Sequence, residues 1–428
     1  MTATFEVEPT AGLIDEPIGV RLRGLQPDIR VVVEAEAQAG VGRKWRSRAE
    51  FTCGPAGMID LARDPAIAGS YEGTDPMGLF WSMAAPRNVR QRDFLGRTLN
   101  PVEVNLSAEV AGEIVASVSL RRMVVGPEIR RIPVLDQGLV GSLFHPQRGD
   151  QHPGVILLGG SEGGLVESFA AALANRGYAA LALAYFAADR LPKNLCLIPL
   201  EYFGRAIAWM ASHPAVAGNK LTVIGASKGG ELALLLAATY SEIGAAVALV
   251  PSGVAFYGLG RNPLSVFKSS WSFRGKPVSY VPMRFTPNVL RAVLSRRPLE
   301  IRAFYDPALE NTKAVRKAEI AVERIRGPVL LVSAEDDRMW PSPRLAQIAA
   351  DRLDAHHYPY PYSHIRYSDC GHAIGLPNLP SVNSVEKAFM GRDVLLGGTP
   401  RGNAQASVNG WARILEFLAE HCSSYVRR

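Results

Sequence analysis

The sequence predicts a protein in two parts: an all-β sandwich, then a mostly parallel sheet flanked by helices. Two patterns and the chain length carry that expectation. Short alternating apolar runs separated by turn residues fill the first 125 residues or so. From about Glu128, continuous apolar runs alternate with helical periodicity, as in a parallel sheet covered on both faces. The chain has 428 residues, of which 47% are hydrophobic and 20% charged. That is enough for two to three domains at roughly 150 residues each. The expected domains are residues 1–125, an immunoglobulin-like sandwich, and residues 126–428, the α/β part.

In the first part, strands are expected at Phe5 to Val7, Ile18 to Leu22, Arg30 to Ala35, Lys44 to Phe51, Leu79 to Met83, Val102 to Leu106 and Ile114 to Leu120. Gly, Pro, Asp and Asn punctuate the gaps, and strands at this spacing suit a sandwich. The apolar run Asp75 to Trp81 reads as buried. In the second part, Gly154 to Leu158, Tyr178 to Ala184, Leu221 to Ile224, Gly244 to Val250 and Val329 to Val332 read as strands. Ser168 to Arg176, Leu200 to His213, Gly229 to Tyr240 and Ala406 to His421 read as helices. Gly253 to Arg297, rich in Ser, Pro, Gly and Arg, is poorly periodic and reads as an irregular loop or small cap. There is no internal repeat.

Composition excludes several classes of function. The net charge of +7 is small for the length, and no recognition motif accompanies it, so nucleic acid is not an expected partner. The pairs Arg121-Arg122, Arg130-Arg131 and Arg296-Arg297 read as solvated faces. Cys53, Cys196, Cys370 and Cys422 lack CxxC spacing, which argues against a thiolate metal site and for free thiols in a reducing compartment. The start, MTATFEVEPT, does not read as a signal peptide. The most apolar stretch, Ala179 to Ala188, is too short to span a bilayer. The closing SSYVRR is not a peroxisomal address. Cytoplasm is the expected location, with no metal or organic cofactor.

The chemistry-bearing signal is Gly225-Ala226-Ser227-Lys228-Gly229, a G-x-S-x-G between an apolar strand and an Ala/Leu-rich helix. A nucleophile elbow needs that placement. Small residues let the backbone turn sharply beneath the serine, and the helix N-terminus favours developing negative charge. A serine hydroxyl needs a base, and the base needs an orienting acid. Downstream, Val329 to Val332 runs into Glu335, Asp336 and Asp337. Asp337 is preferred, because Asp-x-x-Trp-Pro sets it just past the strand, and Asp336 is the alternative. Of the later histidines, His372 lies between small residues, 35 positions beyond Asp337. His356 and His357 read as surface helix-end residues, His364 as the start of a strand, and His421 as part of the last helix. Gly159-Gly160-Ser161-Glu162-Gly163-Gly164 follows an early strand, and its glycines let backbone N–H groups approach a carbonyl. The expected oxyanion donors are the backbone of Lys228 and that of Ser161 or Glu162.

These motifs, with FEVEPTAGLIDEPIGVRLRGL, GSYEGTDPMGLFWSM, PGVILLGGSEGGL, RGYAALALAYF, LPKNL, PLEYF, GASKGGELALLLA, SAEDDRMWPS, CGHAIGLP and GWARILEFL, resemble a known family along nearly the whole chain. It is that of the acyl-CoA thioesterases and bile acid-CoA:amino acid N-acyltransferases. The resemblance implies an α/β-hydrolase domain after a β-sandwich. It also implies a Cys or Ser nucleophile followed by Asp and His, which fall on Ser227, Asp337 and His372. Members that conjugate amino acids use Cys. The serine here tilts the expectation toward hydrolysis of an acyl-CoA through an acyl-serine intermediate. The alternatives are acyl transfer to an amine or alcohol, and a carboxylesterase or lactone hydrolase with the same residues.

Overall fold

A computed structural model describes residues 3–40, 42–86, 91–95, 98–260, 262–389 and 391–422. By backbone proximity the chain divides into two compact units. The larger comprises Pro127–Ile374, Glu386–Gly398 and Asn409–Arg428. The smaller comprises Met1–Gly126, Gly375–Val385 and Thr399–Val408.

The larger unit is built on an eight-stranded sheet. Its strands are β1 (Ile129–Val134), β2 (Val140–Pro146), β3 (His152–Leu158), β4 (Ala179–Ala184), β5 (Val216–Ala226), β6 (Ile243–Leu249), β7 (Val329–Ala334) and β8 (Tyr362–Tyr367). The spatial order is β1-β2-β4-β3-β5-β6-β7-β8. β1 and β2 are antiparallel, β2 runs antiparallel to β4, and every pairing from β4 onward is parallel. Every residue of β4, β6 and β7 is buried, the signature of a sheet covered on both faces. The principal helices of this unit are α1 (Glu167–Asn175), α2 (Leu200–Ser212), α3 (Lys228–Thr239), α4 (Pro287–Leu294) and α5 (Ser342–Ala355). A last helix, α6 (Pro400–Cys422), closes the described chain. The chain steps from β3 to β4 on one side and to β5 on the other. The strand order therefore reverses at β3, and the carboxyl ends of β3 and β5 flank the switch point where open α/β sheets bind their ligands. This is the α/β-hydrolase fold.

The expected strands and helices of this part all form, most with ends shifted by a few residues. Gly253 to Arg297 is neither wholly loop nor a compact helical cap. It holds short strands at Trp271–Phe273 and Lys276–Pro277, a 3₁₀ turn at Pro263–Phe267, and α4. Trp271, Phe256 and Tyr257 of this stretch are fully buried.

The smaller unit holds two sheets, one of three strands and one of six. Long strands such as Arg30–Ala39 and Arg43–Thr52 alternate strictly, putting Val31, Val33, Ala35, Trp45, Ala49 and Phe51 inside. Two sequence expectations fail here. Leu79 to Met83 is not a strand: Gly78–Trp81 is a helical turn whose residues are all buried. A run of five residues, apolar but for Ser82, carries no period to tell helix from strand. Asp75 decides the matter locally, accepting from the Met77 N–H at 2.9 Å and from Trp81 Nε1 at 3.0 Å. The pair Arg121-Arg122 is not a solvated face either. Neighbours on a strand point oppositely, so Arg121 is exposed while Arg122 is buried and donates to the carbonyls of Ile14 and Glu16.

Buried histidines tie stability to pH. His364, on β8, contacts Ser333 Oγ through Nε2 at 2.7 Å, and burial pulls its pKa down to about 4. Burial also lowers His152 and His213, and His145 lies near both. A folded-state pKa below the unfolded one stabilises fully above the unfolded value and is lost as pH falls. Thermal melts should therefore show a falling Tm from about pH 6.5 toward pH 4, with a shallower fall in His364→Gln. Equal slopes would remove His364 from the account.

Candidate active site

Four loops at the carboxyl edge of the sheet build the candidate site. The first is the turn from β5 into α3. Ser227 sits there with φ 57° and ψ −121°, a strained conformation for a residue with a Cβ. The flanking glycines permit it. A Cβ on Gly225 would fall 1.9 Å from the Gly229 carbonyl oxygen, and one on Gly229 would fall 2.4 Å from that of Leu158. The turn is pinned on both sides. The Ser227 N–H donates to Leu249 O at 2.8 Å, and Ser227 O accepts from the Gly230 and Glu231 N–H groups. Lys228 opens α3, so its own N–H has no intrahelical acceptor.

The second loop follows β3. Gly160 abuts the serine: a Cβ there would stand 3.3 Å from Ser227 Cβ and 3.8 Å from its Oγ. Ser161 and Glu162 come next, in a turn closed by the Gly163 N–H to Gly160 O at 3.3 Å. Ser161 is half-buried and Glu162 exposed. Buried Tyr185 fixes the loop's base, donating to Gly159 O at 2.5 Å.

The third and fourth loops hold the acid and the histidine. Three adjacent acids separate by partner. Glu335 takes Arg366, and Asp336 takes Arg338 and the Gly398 N–H. Asp337 is fully buried. Its Oδ1 accepts from the Met339 and Trp340 N–H groups, and its Oδ2 meets His372 Nδ1 at 2.8 Å. The Trp340 ring stands edge-on to His372, with centroids 6.0 Å apart, and its Nε1 donates to Val250 O. A short strip, Leu396-Gly397-Gly398, keeps both loops together. Leu396 O accepts from the N–H groups of Arg338 and His372, and a Cβ on Gly371 would run into Gly397. The structure thus joins Asp337 to His372. Among the described residues no hydrogen bond links Ser227 Oγ to that pair. Cys370, two positions before His372, is not a rival nucleophile, because burial pushes its thiol up to about 12.

One feature of the site is absent from the sequence expectations. The side chain of Lys228 is buried against Glu231, with Nζ 2.7 Å from both carboxylate oxygens. Glu231 also accepts from Trp271 Nε1 at 2.6 Å and from the Phe256 N–H at 3.3 Å. Burial lowers the Lys228 pKa and raises that of Glu231. The i,i+3 spacing is visible in sequence; the burial is not.

A G-x-S-x-G elbow and a buried Asp–His pair on this sheet define the α/β-hydrolase class. Residues 198–424 match the family described as BAAT / Acyl-CoA thioester hydrolase C terminal, and residues 15–136 match the Acyl-CoA thioester hydrolase/BAAT N-terminal region. The chain is 34% identical to mouse (Mus musculus) acyl-coenzyme A thioesterase 6, over 98% of this chain and 97% of that one. It is 31% identical to the mouse peroxisomal succinyl-coenzyme A thioesterase (99% and 98% covered) and 32% to mouse mitochondrial acyl-coenzyme A thioesterase 2 (99% and 90%). The chain belongs to the acyl-CoA thioester hydrolase/BAAT family and is an enzyme. Among solved structures, a dienelactone hydrolase-like promiscuous phosphotriesterase from metagenomic libraries aligns at a TM-score of 0.41 and 16% identity, over 68% of this chain and 98% of that one. A Mycobacterium tuberculosis puromycin-hydrolyzing peptidase aligns at 0.44 and 14%, over 90% and 53%.

Three substitutions probe this local architecture. Gly229→Ala has no room and should cost more than about 3 kcal/mol in a denaturant melt. Glu231→Leu strands a buried ammonium and should cost about 3–5 kcal/mol, whereas Lys228→Met with Glu231→Leu should recover most of that loss. An unchanged midpoint in Glu231→Leu would mean that the pair carries no such weight.

Proposed function

We propose that this protein hydrolyses acyl-CoA thioesters, with Ser227 as nucleophile, His372 as general base and acid, and Asp337 as its orienting acid. The observation that carries the reading is the Asp337–His372 contact at 2.8 Å. With Nδ1 engaged by a buried carboxylate, the ring is left with Nε2 for a proton in transit.

His372 takes the Ser227 proton as Oγ attacks the thioester carbonyl. The tetrahedral oxyanion rests on the N–H of Lys228 and on backbone N–H groups of the loop Gly160 to Glu162, with Ser161 and Glu162 as the expected donors. A single donor of this kind contributes about 3 kcal/mol to barrier lowering. The C–S bond breaks, CoA leaves as thiolate, and the imidazolium proton follows it. Water then attacks the acyl-serine with His372 taking its proton; the bond from the acyl carbon to Oγ breaks, the imidazolium returns the proton to Ser227, and the acid is released. The Ser227–His372 approach tightens in the substrate complex, as catalytic hydrogen bonds do. No metal or organic cofactor enters this scheme, and the acyl-CoA is the one small-molecule partner it needs. Four free cysteines, Cys53, Cys196, Cys370 and Cys422, support a reducing compartment, and we take the cytoplasm as its site of action. No helix among the described residues is long and apolar enough to cross a membrane.

The test is thiol release from a panel of acyl-CoAs. Wild type should release CoA, and Ser227→Ala should lose activity by several powers of ten. Asp337→Asn should fall by roughly 10⁴ in kcat. Adding glycine or taurine and weighing the product separates hydrolysis from conjugation. Silence across the panel, with turnover of esters or lactones instead, would overturn the thioesterase reading.

A further inference from the structure

Between Glu242 and Glu300 the sequence contains no Asp or Glu and eight Lys or Arg residues. That local +8 exceeds the whole chain's +7, so the rest of the molecule carries −1. The same stretch holds five of the most exposed large apolar side chains: Leu264 (62%), Phe267 (60%), Phe285 (66%), Leu290 (58%) and Leu294 (73%).

These five follow one another across neighbouring elements. Leu264 and Phe267 lie three apart in the 3₁₀ turn Pro263–Phe267, where residues at that spacing eclipse. The Phe267 and Phe285 rings stack, with centroids 6.1 Å apart and planes 30° off parallel. Phe285 precedes Thr286, the N-cap of α4, whose hydroxyl accepts from the Val289 N–H. Along α4, Leu290 and Leu294 lie one turn apart and exposed, while Val289 is buried in a cluster with Leu299, Phe304 and Val394. The helix therefore has one apolar face inside and a second outside. Lys268, Arg291, Arg296 and Arg297 interleave with the outer face, are exposed, and form no ion pair with any other described residue. Arg284, beside Phe285, pairs with Glu310.

We infer that this face docks the protein on an anionic phospholipid surface. Exposed Phe and Leu rimmed by unpaired Lys and Arg suit the boundary between headgroups and acyl chains, where the rings enter and the cations stay with the phosphates. A second copy of this face would bring the cations Lys268, Arg291, Arg296 and Arg297 against their own counterparts, and like charge opposes that pairing. The inference stands on charge and exposure alone and does not depend on the reaction proposed for Ser227.

The experiment is co-sedimentation of the full chain with vesicles of phosphatidylcholine, with and without phosphatidylserine. Binding should require phosphatidylserine and weaken as salt rises. Charge reversal by Arg291→Glu, Arg296→Glu and Arg297→Glu together should weaken binding by at least roughly a hundredfold, at about fivefold for each cation lost and more from the repulsion of each carboxylate added. Leu290→Ser with Leu294→Ser should release the protein with an unchanged thermal melt, because both side chains already face solvent. Thiol release from a short, water-soluble acyl-CoA should be unaltered in these variants. No binding to phosphatidylserine vesicles at low salt would overturn the proposal. So would binding untouched by either set of substitutions. A raised KM for the soluble substrate would instead assign the face to substrate. Wild-type dimers abolished by the leucine changes would assign it to self-association.

Discussion

A serine can occupy its strained conformation at the end of β5 because nothing is attached to the α-carbons of Gly225 and Gly229. One position would place a Cβ in the carbonyl of the other, and the other would place it in Leu158 of the next strand. The strain of such a conformation, about 1–3 kcal/mol, is held by hydrogen bonds from the turn to β6 and down α3. The turn sets where α3 begins, and so where its first N–H groups stand. It also sets how closely the loop after β3 can approach, which explains why Gly160 rather than a larger residue faces Ser227.

The second constraint is electrostatic and lies directly beneath the first. Lys228 and Glu231 are charged in water and expensive to bury, so each holds the other in place. Glu231 then reaches beyond the pair to the Trp271 indole and the Phe256 amide, both in the chain that follows β6. The stretch that looks irregular in sequence is thereby fastened to the elbow helix. On the opposite flank, Leu396 to Gly398 bonds to the acid loop and the histidine loop at once. The position of His372 relative to Asp337 thus depends on a segment more than twenty residues further along.

Much of the fold was legible because many of its strands are either wholly apolar or strictly alternating, and both patterns survive in one dimension; β1 and β2, which are neither, were not read from the sequence, and β8 only through the strand start at His364. The elbow was legible because its glycines answer a steric demand local in sequence. The choice among Glu335, Asp336 and Asp337 was only partly so. Their partners, Arg366, Gly398 and His372, come from elsewhere in the chain. The Leu396-Gly397-Gly398 strip carried no signal, since two glycines before a helix read as a turn and nothing more. Leu79 to Met83 misled for want of a period. Arg122 misled because basic pairs are judged by composition, whereas a strand sends adjacent side chains to opposite faces.

The division of the chain into units bears on how the molecule is made. The smaller unit draws on Gly375–Val385 and Thr399–Val408 as well as its first 126 residues. A ribosome that has just passed Gly126 has delivered a body still missing two of its pieces, and the last arrives only as α6 is being synthesised. Amino-terminal domains commonly complete their folding while the remainder is still being translated. Here the smaller unit gains its last two segments only after most of the larger one has been made. For the same reason, a single recombination point between the two halves of the gene would not exchange one unit intact for another.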